Sequence, residues 1–421
     1  MNNKDRRFNY GWVVVAVSFL TLFLVMGIRF SFGIFYIAIL DEYGWGRAET
    51  AGAFSVSMLF HAIFSPVTGT LIDRLGPRKF FPMGATFFFL GLLAATQIRA
   101  IWHVYIIFGV VIAIGMNTLA YSPNMSIIPM WFVKRRGLAS GVVLSGVGLG
   151  TLVLVPLNEM MIAGMGWRSA FLVLSGIILF ILVPVTAIFH RGYPGEMGSN
   201  PVGRISEKEE EPTGQQKEDM PSSNVTEYWT FAAAARVKAF WLMVLVLMCD
   251  GFINYMLLVH QAVYLVDAGY SKLLAASIVG LVGIMGSAGG ILCGFLSDHI
   301  GRKSGYTLAS ISVFIGILFL ISIKNAHSPW MLYVFALLYG LGYGGKLPMY
   351  AAITGDIFPG HAIGRILSIQ SIGFGIGGAL GAYIGGYFYD QTGSYFIPFN
   401  LLLAGIILGV ISIRMAVPRR C

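Results

Sequence analysis

Long apolar runs alternate with short polar joints along this chain of 421 residues. Twelve apolar stretches can be read, centred near residues 24, 60, 88, 116, 150, 179, 252, 284, 313, 342, 376 and 404. About 20 apolar residues are needed to cross the hydrocarbon core of a bilayer as a helix. Lipid offers backbone groups no hydrogen-bond partner, so each stretch is predicted as a helix that satisfies its own. One joint breaks the rhythm: from about Gly192 to Arg236 the chain is polar and includes the run Ser206-Glu207-Lys208-Glu209-Glu210-Glu211-Pro212. The pattern predicts an all-α integral membrane protein of twelve transmembrane helices in two six-helix halves. The halves are residues 1–190 and 237–421, and 191–236 is a solvated cytoplasmic linker. A regulatory or partner-binding role for the linker is the alternative.

Composition sharpens this picture. Hydrophobic residues make up 57% of the chain and charged residues 11%, against about 25% charged in soluble domains. The net charge of +9 does not indicate a nucleic-acid partner, because the basic residues sit between the spans. Lys4, Arg6 and Arg7 precede the first; Arg74, Arg78 and Lys79 follow the second; Lys134, Arg135 and Arg136 follow the fourth. Arg302 and Lys303 follow the eighth, and Arg419 and Arg420 close the sequence. Both termini in the cytoplasm put all of these on one side, as the positive-inside rule requires. The opposite side holds scattered charges such as Arg47, Arg99 and Lys272. A cleavable leader is not expected, since the first apolar run is long and no small-residue cleavage site follows it. Three cysteines, Cys249, Cys293 and Cys421, are too few and too scattered for a disulfide framework or a metal site. No cofactor is expected.

The chain also repeats itself. Gly69-Thr70-Leu71-Ile72-Asp73-Arg74-Leu75-Gly76-Pro77-Arg78-Lys79 returns as Gly294-Phe295-Leu296-Ser297-Asp298-His299-Ile300-Gly301-Arg302-Lys303, an offset of 294 − 69 = 225. The same offset carries Gly44-Trp45-Gly46-Arg47 onto Gly269-Tyr270-Ser271-Lys272, Gly115 onto Gly340 and Pro123 onto Pro348. It then drifts to 227, with Gly137 on Gly364 and Gly166 on Gly393. Glycine-rich runs such as 145–150 and 373–378 lie inside spans with no preceding strand. They suit close helix approach and not a nucleotide loop.

A duplicated Gly-x-x-x-Asp turn between apolar helices resembles the major facilitator superfamily of secondary transporters. The resemblance implies a parallel repeat of two six-helix halves and alternating access. It also implies a cytoplasmic gate. Gly69 lets helices approach there, and Asp73 and Arg74 pair across the face to latch the outward-facing state, with Asp298 and Arg302 as a second copy. Three further signatures resemble the monocarboxylate porter family: Tyr10-Gly11-Trp12-Val13-Val14, Trp131 to Gly141, and Tyr389-Asp390-Gln391-Thr392-Gly393-Ser394-Tyr395. The second matches an aromatic-Phe-x-Lys-Arg-Arg-x-Leu-Ala-x-Gly loop. The departures are equally specific. The acidic residue ahead of the first signature is missing. The family's Asp and Arg on span eight are replaced by Gly283 and Ser287, and its span-one Lys has no match. The binding residues must therefore come from this chain's own charges.

An ionisable side chain within a span is costly unless paired or wet, which makes it a functional candidate. Arg29 in span one, Asp250 in span seven and Lys346 in span ten are the clear cases. The resemblance places spans one, four, seven and ten around the central cavity. The offset pairs Arg29 with Asn254 and Tyr121 with Lys346. Asn117 and Tyr121, like Asp250 and Asn254, are four residues apart and share a helix face; Tyr343 lies one turn from Lys346. These residues are expected to form one polar ring, with Arg29 nearer the external side. Arg29 or Lys346 would hold a carboxylate; Asn117, Tyr121, Asn254 and Tyr343 would complete the substrate site. Asp250 would carry a proton. A structural Asp250–Lys346 or Asp250–Arg29 pair is the alternative. His260 and Glu159 are read as polar residues near the external ends. Phe30, Tyr255, Tyr383 and Tyr387 could line a site for a larger apolar acid.

The expected function is secondary active transport of a small organic anion, a lactate- or pyruvate-like monocarboxylate moved with a proton by a functional monomer in the cell membrane. Efflux of amphipathic compounds and a non-transporting sensor on the same fold are the alternatives. An enzyme is not expected: the sequence offers no nucleophile–base set, metal spacing or phosphate-binding loop.

Overall fold

The structure, a computed structural model, describes residues 10–132, 135–191, 229, 231–358 and 363–416. Among them twelve spans run in the order α1 (Tyr10–Tyr43), α2 (Arg47–Leu75), α3 (Pro77–Ala95), α4 (Ile101–Trp131), α5 (136–165), α6 (167–189), α7 (Lys238–Asp267), α8 (Lys272–Ile300), α9 (Arg302–Ser322), α10 (Trp330–Ile357), α11 (Ile363–Thr392) and α12 (Phe396–Ala416). Every apolar centre read from the sequence falls inside one of them. No strand occurs among the described residues. The linker expected over 191–236 falls almost wholly outside them.

The repeat is visible in the backbone. Among the described residues six glycines have positive φ: Gly44, Gly76, Gly166, Gly269, Gly301 and Gly393. They form three pairs, 44 with 269 and 76 with 301 at the 225 offset, and 166 with 393 at 227. Each ends one helix before the next begins, a conformation that costs glycine little and other residues more. At Gly166 (φ 81°) the continuous run Arg136–Phe189 divides into α5 and α6.

Two spans are less regular than the apolar pattern predicts. The first is interrupted at Ser31, whose hydroxyl donates back to the Gly27 carbonyl at 2.8 Å and receives the Asn158 amide at 2.7 Å. Such back-bonding bends helices. The fourth carries a wide π turn over Ile107–Ile112 and breaks at Leu119 and Ala120. Pro123 cannot donate to Leu119, and the Asn124 side chain supplies the missing bonds, at 3.0 Å to the Leu119 carbonyl and 2.9 Å to that of Ala120. Its repeat partner Pro348 leaves α10 continuous.

The halves meet along two seams. On one, α5 lies against α8, with Gly148 facing Ser287 and Gly283 facing Thr151. On the other, α2 lies against α11, with Gly375 against Met58 and Ala62. Small residues at these points let the backbones approach.

Candidate functional site

Two faces of the molecule must be distinguished. The basic face carries Arg74, Arg78, Lys79, Arg136 and Arg302; the far face carries the α1–α2, α7–α8 and α11–α12 turns. At the centre, Asp250 on α7 accepts a hydrogen bond from the Lys346 ammonium of α10 at 2.7 Å and another from the Tyr306 hydroxyl of α9 at 2.7 Å. Lys346 also stands 5.3 Å from the centre of the Tyr306 ring. Its side chain is 8% exposed and that of Asp250 14%, so the two charges neutralise each other largely out of water. Asn254, one turn from Asp250, lies beside Tyr343. Asp250, Asn254, Tyr343 and Lys346 line one cavity together with Tyr339 and Phe374.

Arg29 has a different setting. It lies just before the Ser31 interruption, is 8% exposed, and donates to the Tyr255 hydroxyl of α7 at 2.5 Å and to the Met58 sulfur of α2 at 3.6 Å. No carboxylate pairs with it among the described residues. Beside it, His61 on α2 lies within electrostatic reach of its guanidinium and close to Asn117 on α4. The Asn117 amide nitrogen is buried without a partner.

The structure thus brings together Asp250, Asn254, Tyr343 and Lys346, and holds Arg29 and Asn117 in an adjoining cluster. Tyr121 is not in either. The break at Leu119 and Ala120 interrupts the face it was expected to share with Asn117, and its side chain is 43% exposed. His260 is fully buried, its two ring nitrogens engaged by the Tyr395 hydroxyl at 3.1 Å and the Ala382 carbonyl at 2.8 Å. Tyr383 and Tyr387 are exposed on α11 and stand away from the site. Tyr255, read from the sequence as a possible lining residue, is bound to Arg29. His61 and Tyr306 escape the sequence reading. His61 was open to the same argument as Arg29, being ionisable within a span; Tyr306 carries no such signal.

At the far face the halves are tied together. The Arg47 guanidinium grips Asp267 of α7 with two bonds, 2.7 and 3.0 Å, donates to the Tyr395 hydroxyl at 2.9 Å and lies 3.6 Å over the Tyr389 ring. The Asp390 carboxylate accepts the backbone N–H groups of Arg47 at 3.0 Å and Ala48 at 2.8 Å. It caps the start of α2, where Gly46 offers no side chain. Lys272, the repeat partner of Arg47, reaches Asp41 of α1 at 2.6 Å.

The basic face is uncrowded: a side-chain carbon placed on Gly69, Gly137, Gly141 or Gly294 would meet nothing within 4 Å. The close approach expected at Gly69 is therefore absent in this conformation. Arg74 is exposed, and Arg302 pairs with Asp356 of its own half and donates to the Ala352 carbonyl at 2.9 Å. The Asp73 and Asp298 side chains lie outside what the structure describes. Replacing Arg47 with Ala should loosen the far-face tie. Labelling of a cysteine introduced at Asn254 by a membrane-impermeant maleimide from the far side is expected to rise at least several-fold; unchanged labelling would remove Arg47 from the tie.

Twelve spans in two repeated halves, with a buried polar centre between them, define a multi-pass membrane protein with a central binding region. The model of the Major Facilitator Superfamily matches residues 18–345 and 287–420, and the chain belongs to that superfamily. Its members are transporters and not enzymes. The chain is similar to monocarboxylate transporter 13 of Bos taurus, 27% identical over 407 residues that cover 95% of this chain and 88% of that one. It is similar to monocarboxylate transporter 12 of Homo sapiens, 24% identical over 426 residues and covering 95% and 80%. It is also similar to an uncharacterised superfamily member of Bacillus subtilis, YcxA, 25% identical and covering 92% and 90%. Among solved structures, a bacterial homologue of the human lysosomal transporter Spinster, inward-facing and unoccupied, aligns with a TM-score of 0.67 at 15% identity, over 97% of this chain and 96% of that one. That likeness concerns the fold alone. The chain is a superfamily transporter related to the monocarboxylate transporters.

Proposed function

We propose that this transporter moves a small monocarboxylate, of the lactate or pyruvate type, together with a proton. The observation that carries the reading is the contrast between its two buried cations. Lys346 is matched by Asp250, whereas Arg29 faces the centre with a hydroxyl and a sulfur as partners and no carboxylate among the described residues. A buried cation of this kind is stabilised by an anion, and a guanidinium fork with the unengaged Asn117 amide beside it suits one carboxylate. Asn254 and Tyr343 then order the rest of the substrate. Asp250 is the proton carrier of the C-terminal half: its protonation releases Lys346. The positive-inside rule makes the basic face cytoplasmic, with both termini there and the protein in the cell membrane as a monomer. The conformation described is then open to the cytoplasm. In the opposite state Gly69, Asp73, Arg74, Asp298 and Arg302 close the cytoplasmic gate. Residues 1–190 and 237–421 move as the two halves, joined by the 191–236 linker.

A second reading has its own observation. Phe32, Phe35, Phe54, Phe108 and Phe171 line a cavity that Arg29 borders, which favours an acid with an apolar tail and, with it, efflux of amphipathic acids. One experiment separates the two. Purified protein in proteoliposomes is offered labelled acetate, lactate, pyruvate and benzoate with and without an inward proton gradient. Gradient-stimulated, mutually competitive uptake of the short acids is expected. Benzoate alone would favour the second reading, and no carboxylate uptake would sink both.

A further inference from the structure

Asp250 holds its two partners with different oxygens. Oδ1 accepts from the Lys346 ammonium of α10 and Oδ2 from the Tyr306 hydroxyl of α9, both at 2.7 Å. The partners differ in freedom. Lys346 borders the central cavity together with Asp250, Tyr343 and Tyr350, and has room to swing into it. Tyr306 reaches the carboxylate from behind: it is 1% exposed, in an apolar cluster with Leu247, Met349 and Ile413. Close helix contacts fix its place. At Gly342 of α10 a side-chain carbon would lie 2.5 Å from the Ala309 carbonyl of α9, and at Gly305 one would lie 2.8 Å from the Met349 sulfur. Lys346 is one turn beyond Gly342, and Tyr306 is one turn before Ala309. The contact of α9 with α10 therefore sets a hydroxyl on one side of the carboxylate and an ammonium on the other. The remaining groups around it are neutral or turned away. On α7, Cys249 lies against Gly409 of α12, and on α8, Cys293 lies against Gly345 of α10. From α10 come also Tyr339, Tyr343 and Tyr350, and from α11 comes Phe374. The runs 366–382 of α11 and 396–413 of α12 contain no titratable residue. Arg302, one turn before Tyr306, pairs with Asp356.

We propose that Tyr306 is the positioning residue of the proton step: it holds Oδ2 of Asp250, so the proton is taken by Oδ1, the oxygen that Lys346 occupies. The inference rests on the reading of Asp250 as the proton carrier. A protonated carboxyl oxygen donates where the carboxylate oxygen accepted, so a proton on either oxygen displaces the donor already there. Of the two donors, Lys346 has a cavity to move into and Tyr306 is held by packing. The proton comes from water in that cavity, forms an O–H bond at Oδ1 and returns to water when it leaves. Its arrival strips the ammonium of its counter-charge in a poorly hydrated place, where an anion in the central site offsets the loss. Proton uptake without an anion is thereby suppressed, and by linkage each favours the binding of the other. Without the hydroxyl, Oδ2 takes the proton while Lys346 still rests on the uncharged Oδ1. The carrier then turns over with a proton and no anion.

The test is the ratio of protons to pyruvate carried by purified full-length protein in proteoliposomes. Radiolabelled pyruvate reports the anion and internal pyranine the proton. Valinomycin with potassium on both sides removes any membrane potential, and protein-free vesicles supply the blank. The wild type should carry both in a fixed ratio and pass few protons when pyruvate is absent. Tyr306→Phe keeps the ring beside Lys346 and removes the hydroxyl alone. Its ratio of protons to pyruvate should rise about twofold or more, and its proton entry without pyruvate about fivefold or more. Tyr306→Met, which also lacks the hydroxyl, should do the same if the Phe variant purifies poorly. A purely structural role would lower both fluxes together, so a variant ratio at or below that of the wild type overturns the inference. Proton entry without pyruvate equal to that of the wild type overturns it as well. Pyruvate uptake by the wild type with no accompanying protons would instead sink the reading of Asp250 as the proton carrier, and the inference with it.

Discussion

Arg29→Gln is expected to reduce carboxylate uptake into proteoliposomes by about 100-fold or more in kcat/KM. Hydrogen bonds to a charged group contribute about 1.5–3 kcal/mol each. A guanidinium offers two to one carboxylate, and 1.4 kcal/mol is a factor of ten. The native partners of Arg29, the Tyr255 hydroxyl at 2.5 Å and the Met58 sulfur at 3.6 Å, are both neutral, so Gln leaves no buried charge orphaned. The loss should therefore lie in transport and not in folding. Arg29→Lys should fall between, because an ammonium retains charge without the fork. Uptake by Arg29→Gln within a few-fold of wild type would move the anion site to Lys346.

Asp250→Ala is expected to be the most destabilising single change at the centre. It strands the Lys346 ammonium, 8% exposed, with the Tyr306 hydroxyl also deprived of its acceptor. Removing one member of a buried pair typically costs about 3–5 kcal/mol, whereas removing both is often close to neutral. Asp250→Ala should lower the midpoint of thermal unfolding of the purified protein, followed by tryptophan fluorescence. Asp250→Ala with Lys346→Ala should recover most of the loss. A double variant no more stable than the single one would show that the pair is not coupled. Recovery of stability without recovery of gradient-driven uptake would separate the pair's structural contribution from its part in transport.

The fold was largely legible because lipid makes each span declare itself. An apolar stretch of the right length has one stable form, and every centre read from the sequence became a helix. The offset of the repeat proved still more informative, since it pairs all six positive-φ glycines. Irregularities within spans were less legible. Pro123 and Pro348 are repeat partners, yet only α4 breaks. An i, i+4 argument applied across that break misplaced Tyr121.

The centre was half legible. Arg29, Asp250 and Lys346 stood out because a charge in a span is rare. The partner of each was not given by chain position, because α7, α9 and α10 converge only through packing. His61 was hidden in a span that is less apolar than its neighbours, and Tyr306 among 19 tyrosines. The far-face tie was the least legible. Its members are ordinary charges at helix ends, 220 residues apart for Arg47 and Asp267 and 343 for Arg47 and Asp390.

That tie has a consequence for how the protein changes shape. The first N–H groups of α2 receive their carboxylate from the opposite half of the molecule, so this helix is finished in only one arrangement of the halves. When the halves part there, α2 loses its terminal acceptor as well as an ion pair, and water must take both places. A cap of this kind is commonly worth about 1 kcal/mol. The resting preference between the two arrangements is thereby written partly into the main chain of α2. It can be retuned at Gly46 or Asp390 without altering any atom that meets the substrate.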